Sequence, residues 1–134
     1  MPAFAVSLTR TSSRSDRLFD AKNLTPAFPF GHGVSYTTFR YSNISVAAEG
    51  EAATVSFTVS NSGPVAGAEV AQLYLRFPDS AGEPPQQLAG FEKVRLAPGA
   101  AADITLPLTA RAFSVWSVAT HGWTSVAGRF GIAV

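Results

Sequence analysis

The sequence predicts an all-β domain, an immunoglobulin-like sandwich of about seven strands preceded by an extended N-terminal arm. Three observations carry this. Gly and Pro, 11 and 9 of the 134 residues, punctuate the chain at short intervals. Between them lie runs that alternate apolar and polar residues with period two, the spacing of a strand with one face buried. No stretch shows the i, i+3, i+4 recurrence of an amphipathic helix.

The clearest strand runs from Thr54 to Ser60, where Val55, Phe57 and Val59 alternate with hydroxyl residues. It ends at Asn61-Ser62-Gly63-Pro64, a turn by composition. Ile104, Leu106 and Leu108 repeat the pattern after Ala97-Pro98-Gly99, and Phe130, Ile132 and Val134 do so at the C-terminal end. Four further strands are expected at Phe39 to Val46, Glu69 to Phe77, Leu88 to Leu96 and Ala112 to Val118. In the first of these the apolar set shifts from Phe39/Tyr41 to Ile44/Val46, the signature of a bulge. Pro107 cannot donate to a ladder, which puts its strand at a sheet edge or turns its nitrogen outward. Before Phe39, Pro26 and Pro29 interrupt a segment with no strand or helix pattern. The chain thus divides into a flexible leader over 1–16, an extended arm over 17–38 and the sandwich over 39–134.

Composition narrows the function. Hydrophobic residues make up 46% of the chain and charged residues 14%, against about 25% charged in an ordinary globular domain. Mean hydropathy is +0.16 and the formal charge +1, which argues against disorder. Ten basic against nine acidic residues leave no excess to hold a phosphate backbone, so nucleic acid is not an expected partner. No run approaches the roughly 20 apolar residues of a membrane span, and no membrane partner is expected. The apolar stretch Pro2 to Leu8 lacks a charged region ahead of it and is short for an export signal. With no cysteine, disulfides, thiol nucleophiles and Cys-based metal sites are excluded.

The densest motif is Phe28-Pro29-Phe30-Gly31-His32-Gly33-Val34-Ser35-Tyr36-Thr37-Thr38-Phe39, four aromatics and two glycines in a compact run. It resembles the junction entering the C-terminal fibronectin type III-like domain of glycoside hydrolase family 3, the β-glucosidase family. Asn61-Ser62-Gly63 with Gly67-Ala68-Glu69-Val70-Ala71-Gln72-Leu73-Tyr74 is similar to that domain's second and third strands. Leu88-Ala89-Gly90-Phe91-Glu92-Lys93-Val94 with Leu96-Ala97-Pro98-Gly99 is similar to its next strand and turn. The likeness begins near Arg17-Leu18-Phe19-Asp20 and continues to Val134, while residues 1 to 15 match nothing in the pattern. The family's N-terminal barrel and α/β domain have no counterpart, so the resemblance implies a detached accessory domain or a truncated gene product.

Retaining glycosidases hold two carboxylates about 5–5.5 Å apart. In the resembled family these stand on the barrel and the second domain, so no catalytic residue is expected on this chain. The acidic pairs present have structural explanations: Glu49 and Glu51 flank a turn glycine, and Asp79 and Glu83 lie in a Ser/Gly/Pro loop. His32 and His121 have no Gly-x-Ser-x-Gly elbow to serve and no ligand spacing, so neither a triad, a metal nor a cofactor is expected. His121-Gly122-Trp123 reads as a hairpin turn.

The resemblance implies docking to catalytic domains in cis, with Phe28, Phe30, His32, Tyr36 and Phe39 as the docking residues. The low charge content agrees, because a module covered by neighbours needs less surface charge, and it predicts an exposed apolar patch beside Phe28, Phe30 and Tyr36. Trp116 and Trp123 are read as core or interdomain packing, with stacking on a polysaccharide as the alternative. Asn43-Ile44-Ser45 fits a glycosylation sequon.

Overall fold

The computed structural model describes residues 3–6, 25 and 35–134. Strands β1 (Ala3–Val6), β2 (Phe39–Glu49), β3 (Ala52–Asn61), β4 (Gly67–Arg76), β5 (Gln87–Leu96), β6 (Ala101–Leu108), β7 (Ser114–Ser117), β8 (Gly122–Ser125) and β9 (Arg129–Ala133) follow in chain order. They form a four-stranded sheet of order β1-β9-β4-β5, a three-stranded sheet of order β2-β3-β6 and a separate hairpin, β7-β8.

Alternation in the sequence decides which side chains meet between the sheets. On β3, Ala53, Val55, Phe57, Val59 and Asn61 point inward, each 2% exposed or less. Ile104, Leu106 and Leu108 of β6 extend the same layer, and Ala71, Leu73 and Leu75 of β4 with Phe130 and Ile132 of β9 face it from the other sheet. Removing each such Val, Leu or Phe from water stabilises the fold by about 1.5–3 kcal/mol before conformational entropy is counted. Phe130 sits at the centre of an aromatic knot, edge-on to Phe77 at 5.2 Å and to Phe113 at 5.1 Å. A polar tie crosses between the sheets where the Tyr41 hydroxyl of β2 donates to Glu69 Oε1 of β4 at 2.9 Å.

Local irregularities fall where the sequence places them. The β2–β3 register shifts between Ser42 and Ser45, and Asn43 takes φ 55° there, in the left-handed region that asparagine tolerates better than most residues. Among the described residues β6 pairs only with β3, so Pro107 stands on an edge strand, opposite Thr54. Gly50 and Gly99 turn the chain at φ 64° and 74°.

The fold differs from expectation in two places. Ala3–Val6 forms a strand that pairs in parallel with β9, from Ala3 opposite Arg129 to Val6 opposite Ile132. Four residues carry too little alternation to announce a strand, and this one is specified by the free edge of β9. The strand expected at Ala112 to Val118 splits into a 3-10 turn over Ala110–Phe113 and the short β7, which folds back on β8 with Trp116 directly opposite Trp123. Phe113 turns into the core from that 3-10 segment, 3% exposed.

Candidate functional site

The arm reaches the sandwich at Ser35–Thr38, where a buried amide fastens it. Asn61, last residue of β3, is 1% exposed. Its Oδ1 accepts the Thr37 hydroxyl at 2.6 Å and the Gly63 N–H at 3.0 Å. Its Nδ2 donates to the Val65 carbonyl at 2.8 Å and the Leu96 carbonyl at 3.0 Å. One side chain thus joins the arm, the β3–β4 turn and the end of β5. The Thr38 carbonyl adds two bonds, accepting from the Ser62 N–H at 2.8 Å and the Ser62 hydroxyl at 3.1 Å. Gly63 is required by this close approach: a Cβ there would overlap the Thr37 hydroxyl and lie 2.7 Å from the Thr38 nitrogen.

Beside this anchor, Tyr36 projects into solvent, 96% exposed. The expected docking residues therefore separate. Phe28, Phe30 and His32 lie outside the described residues. Phe39 does not belong with Tyr36: it is 5% exposed and packs in the domain's own core, because it is the first inward position of β2.

The second aromatic group occupies the opposite end of the sandwich. Trp116 and Trp123 are not core residues; they are 52% and 50% exposed and meet edge to face, centroids 5.7 Å apart at 73°. The hairpin is held through other atoms, since Val115 packs against the core and the Val126 N–H donates to the Phe113 carbonyl at 3.0 Å. The Arg111 guanidinium lies over the Trp123 ring, 4.2 Å from its centroid. Neither Asn61 nor Arg111 carries a signal in the sequence: one reads as a turn residue, the other as a lone surface cation. A cleft of about 360 Å³ opens beside the hairpin, lined by Gly50, Glu51, Phe113 and Ser125 to Gly128.

Glu49 and Glu51 flank the β2–β3 turn, and Asp79 opens a 3-10 segment in the β4–β5 loop with Glu83 beyond it. No group of three His, Asp or Glu side chains among the described residues is placed to hold a metal ion. His121 is exposed and sits at φ 47° in the β7–β8 turn. Asn43 is exposed on its bulge, its amide donating to the Thr58 hydroxyl at 3.3 Å.

Residues 69–134 match the family model of the fibronectin type III-like domain. The curated relatives it matches include β-glucosidases. A probable β-glucosidase D of Aspergillus flavus is 41% identical over 138 residues, covering 88% of this chain, and the β-glucosidase cel3A of Pyricularia oryzae is 45% identical over 140 residues, again covering 88%. The chain carries the fibronectin type III-like domain of family 3 β-glucosidases.

It spans only 18% and 19% of the length of those two relatives. Solved structures agree with this placement. The β-D-glucoside glucohydrolase of Trichoderma reesei superposes with TM-score 0.82 at 40% identity, over 87% of this chain and 19% of that one. The family 3 β-glucosidase of Bifidobacterium adolescentis does so with TM-score 0.83 at 37% identity, over 87% and 18%. The fibronectin type III-like domain is therefore shared at both sequence and fold level with enzymes whose remaining length, more than four-fifths, has no counterpart here.

Proposed function

We propose that this domain is a non-catalytic accessory module of a family 3 β-glucosidase and braces catalytic domains that are not in this chain. Its docking surface is the arm end of the sandwich, where Tyr36 stands beside the fastened Thr37; in the sequence Phe28, Phe30 and His32 precede it. The observation that carries this reading is the contrast between adjacent residues: Thr37 is 9% exposed and bonded to Asn61, while Tyr36 is 96% exposed. A large amphipathic ring standing in solvent at the junction is the kind of side chain that anchors protein interfaces. Among the described carboxylates Glu51 alone lines the cleft beside the hairpin, whereas a retaining glycosidase needs a pair of them.

The test uses the chain together with the T. reesei enzyme shortened by its matching segment. Association on size exclusion, with a rise in the melting temperature of the shortened enzyme and weakening by Tyr36→Ala, is the expected result. Failure to associate at high micromolar concentration would remove the bracing role. Turnover of an aryl β-glucoside by the chain alone, abolished by one carboxylate substitution, would overturn the non-catalytic reading.

A further inference from the structure

We propose that the solvent face of the β7–β8 hairpin binds a soluble gluco-oligosaccharide, with Trp116 as the stacking surface, Trp123 as a perpendicular wall and Arg111 as a hydrogen-bond donor. Two indoles left half in water need an explanation, because tryptophan is highly buried on average. Hairpin stability supplies only part of one. A cross-strand aromatic pair adds about 0.5–1.5 kcal/mol beyond its burial, but the hairpin is already tied to the core by Val115 and by the Val126–Phe113 bond.

The geometry leaves a face open. The two rings meet at 73°, so the edge of one meets the face of the other, and Arg111 covers one face of Trp123. Whichever ring supplies the edge, Trp116 keeps a face that neither Trp123 nor Arg111 covers. A pyranose with equatorial hydroxyls presents a face of axial C–H bonds, polarised by the ring oxygens, which complements the negative face of an indole. The Arg111 guanidinium, held over Trp123, adds N–H donors for sugar hydroxyls at the same hairpin.

The site continues past the rings. By strand alternation Ser125 lies on the same side of β8 as Trp123, and it lines the 360 Å³ cleft together with Glu51. That volume is at the lower end of small-ligand sites and fits about one sugar unit, for which a hydroxyl and a carboxylate are suitable partners. The 73° angle also sets the physical form of the ligand. A crystalline polysaccharide surface needs coplanar rings, which these two are not, so the ligand is one flexible chain in solution. The gluco configuration rests on the family reading proposed above; the stacking chemistry does not.

Trp116 and Trp123 are the two tryptophans of the chain, so emission excited at the indole edge reports on this face alone. Titrating the full chain with cellotetraose is expected to give a saturable change with a Kd near about 1 mM. Trp116→Ala should weaken it at least about tenfold, read from Trp123, in a protein that still melts cooperatively with a Tm lower by a few degrees. Arg111→Ala should weaken it less, and Trp116→Phe should retain most of it. An unsaturated titration on folded protein, or equal binding by Trp116→Ala, overturns the site. So does retention on crystalline cellulose that depends on Trp116. If the shortened T. reesei enzyme perturbs the indoles while cellotetraose does not, the face is a protein interface; the proposal fails and the accessory reading stands. Sugar binding with no capture of that enzyme upholds the site and removes the bracing role.

Discussion

Replacing Asn61 by alanine removes four hydrogen bonds at one buried position, to Thr37, Gly63, Val65 and Leu96. At about 1 kcal/mol net per bond the loss is near 4 kcal/mol. Two carbonyls and two donors lose their partner, which raises the cost. Water entering the vacated space lowers it, because the site offers several polar groups at the open end of the sandwich. A decrease in unfolding free energy of about 2.5–4 kcal/mol follows. For a domain of this size, about 4 °C per kcal/mol makes the fall in Tm roughly 10–16 °C. Urea unfolding followed by circular dichroism measures the free energy, with the m-value checking that the unfolded ensemble is unchanged. Thr37→Val, which deletes only the 2.6 Å bond, should cost about 1 kcal/mol, and the double variant should show coupling of about the same size. Because the Ser62 N–H donates to the Thr38 carbonyl, its hydrogen exchange should accelerate in both single variants. A loss under about 1 kcal/mol for Asn61→Ala, or zero coupling with Thr37, would refute the claim that this amide fastens the arm.

Other substitutions probe separate parts of the fold. Gly63→Ala forces its methyl into the Thr37–Thr38 backbone and should cost about 1–3 kcal/mol by chemical denaturation, whereas Gly99→Ala, with open space but φ 74°, should cost about 1 kcal/mol. Phe130→Ala empties the centre of the aromatic knot and should lower stability by about 3–5 kcal/mol, and a change below about 1 kcal/mol would contradict its place there. Tyr36→Ala should leave the unfolding free energy of the isolated chain within about 0.5 kcal/mol, since the ring is exposed; a larger loss would mean that it packs on its own domain.

Where burial follows period-two alternation, the sequence was sufficient. Val55, Phe57 and Val59 have no choice of face once Thr54, Ser56 and Thr58 take the other, and β3 accordingly fills the core. The shift from Phe39/Tyr41 to Ile44/Val46 announced the bulge at Asn43 for the same reason, since an extra residue is the only way to keep both pairs on one face. The motif run from Phe28 to Phe39 resembled a family junction, but whether a ring in it served the core or a partner was not legible. Phe39 and Tyr36 are alike in composition and three residues apart, and only the start of β2 sends one inward and leaves the other in water. Residue type alone left the tryptophans open to core or interdomain packing; the tertiary structure removes the core reading, because Val115 already supplies the hairpin's inward contact. Non-local pairings were equally out of reach: Ala3–Val6 becomes a strand only beside β9, and Arg111 meets Trp123 only after the 3-10 turn and the hairpin have folded. Sequence by itself thus determined most of the strands, their turns and the family, each governed by local periodicity and chemistry. Tertiary structure decided which aromatics remain for binding, because exposure depends on what the rest of the chain has already covered.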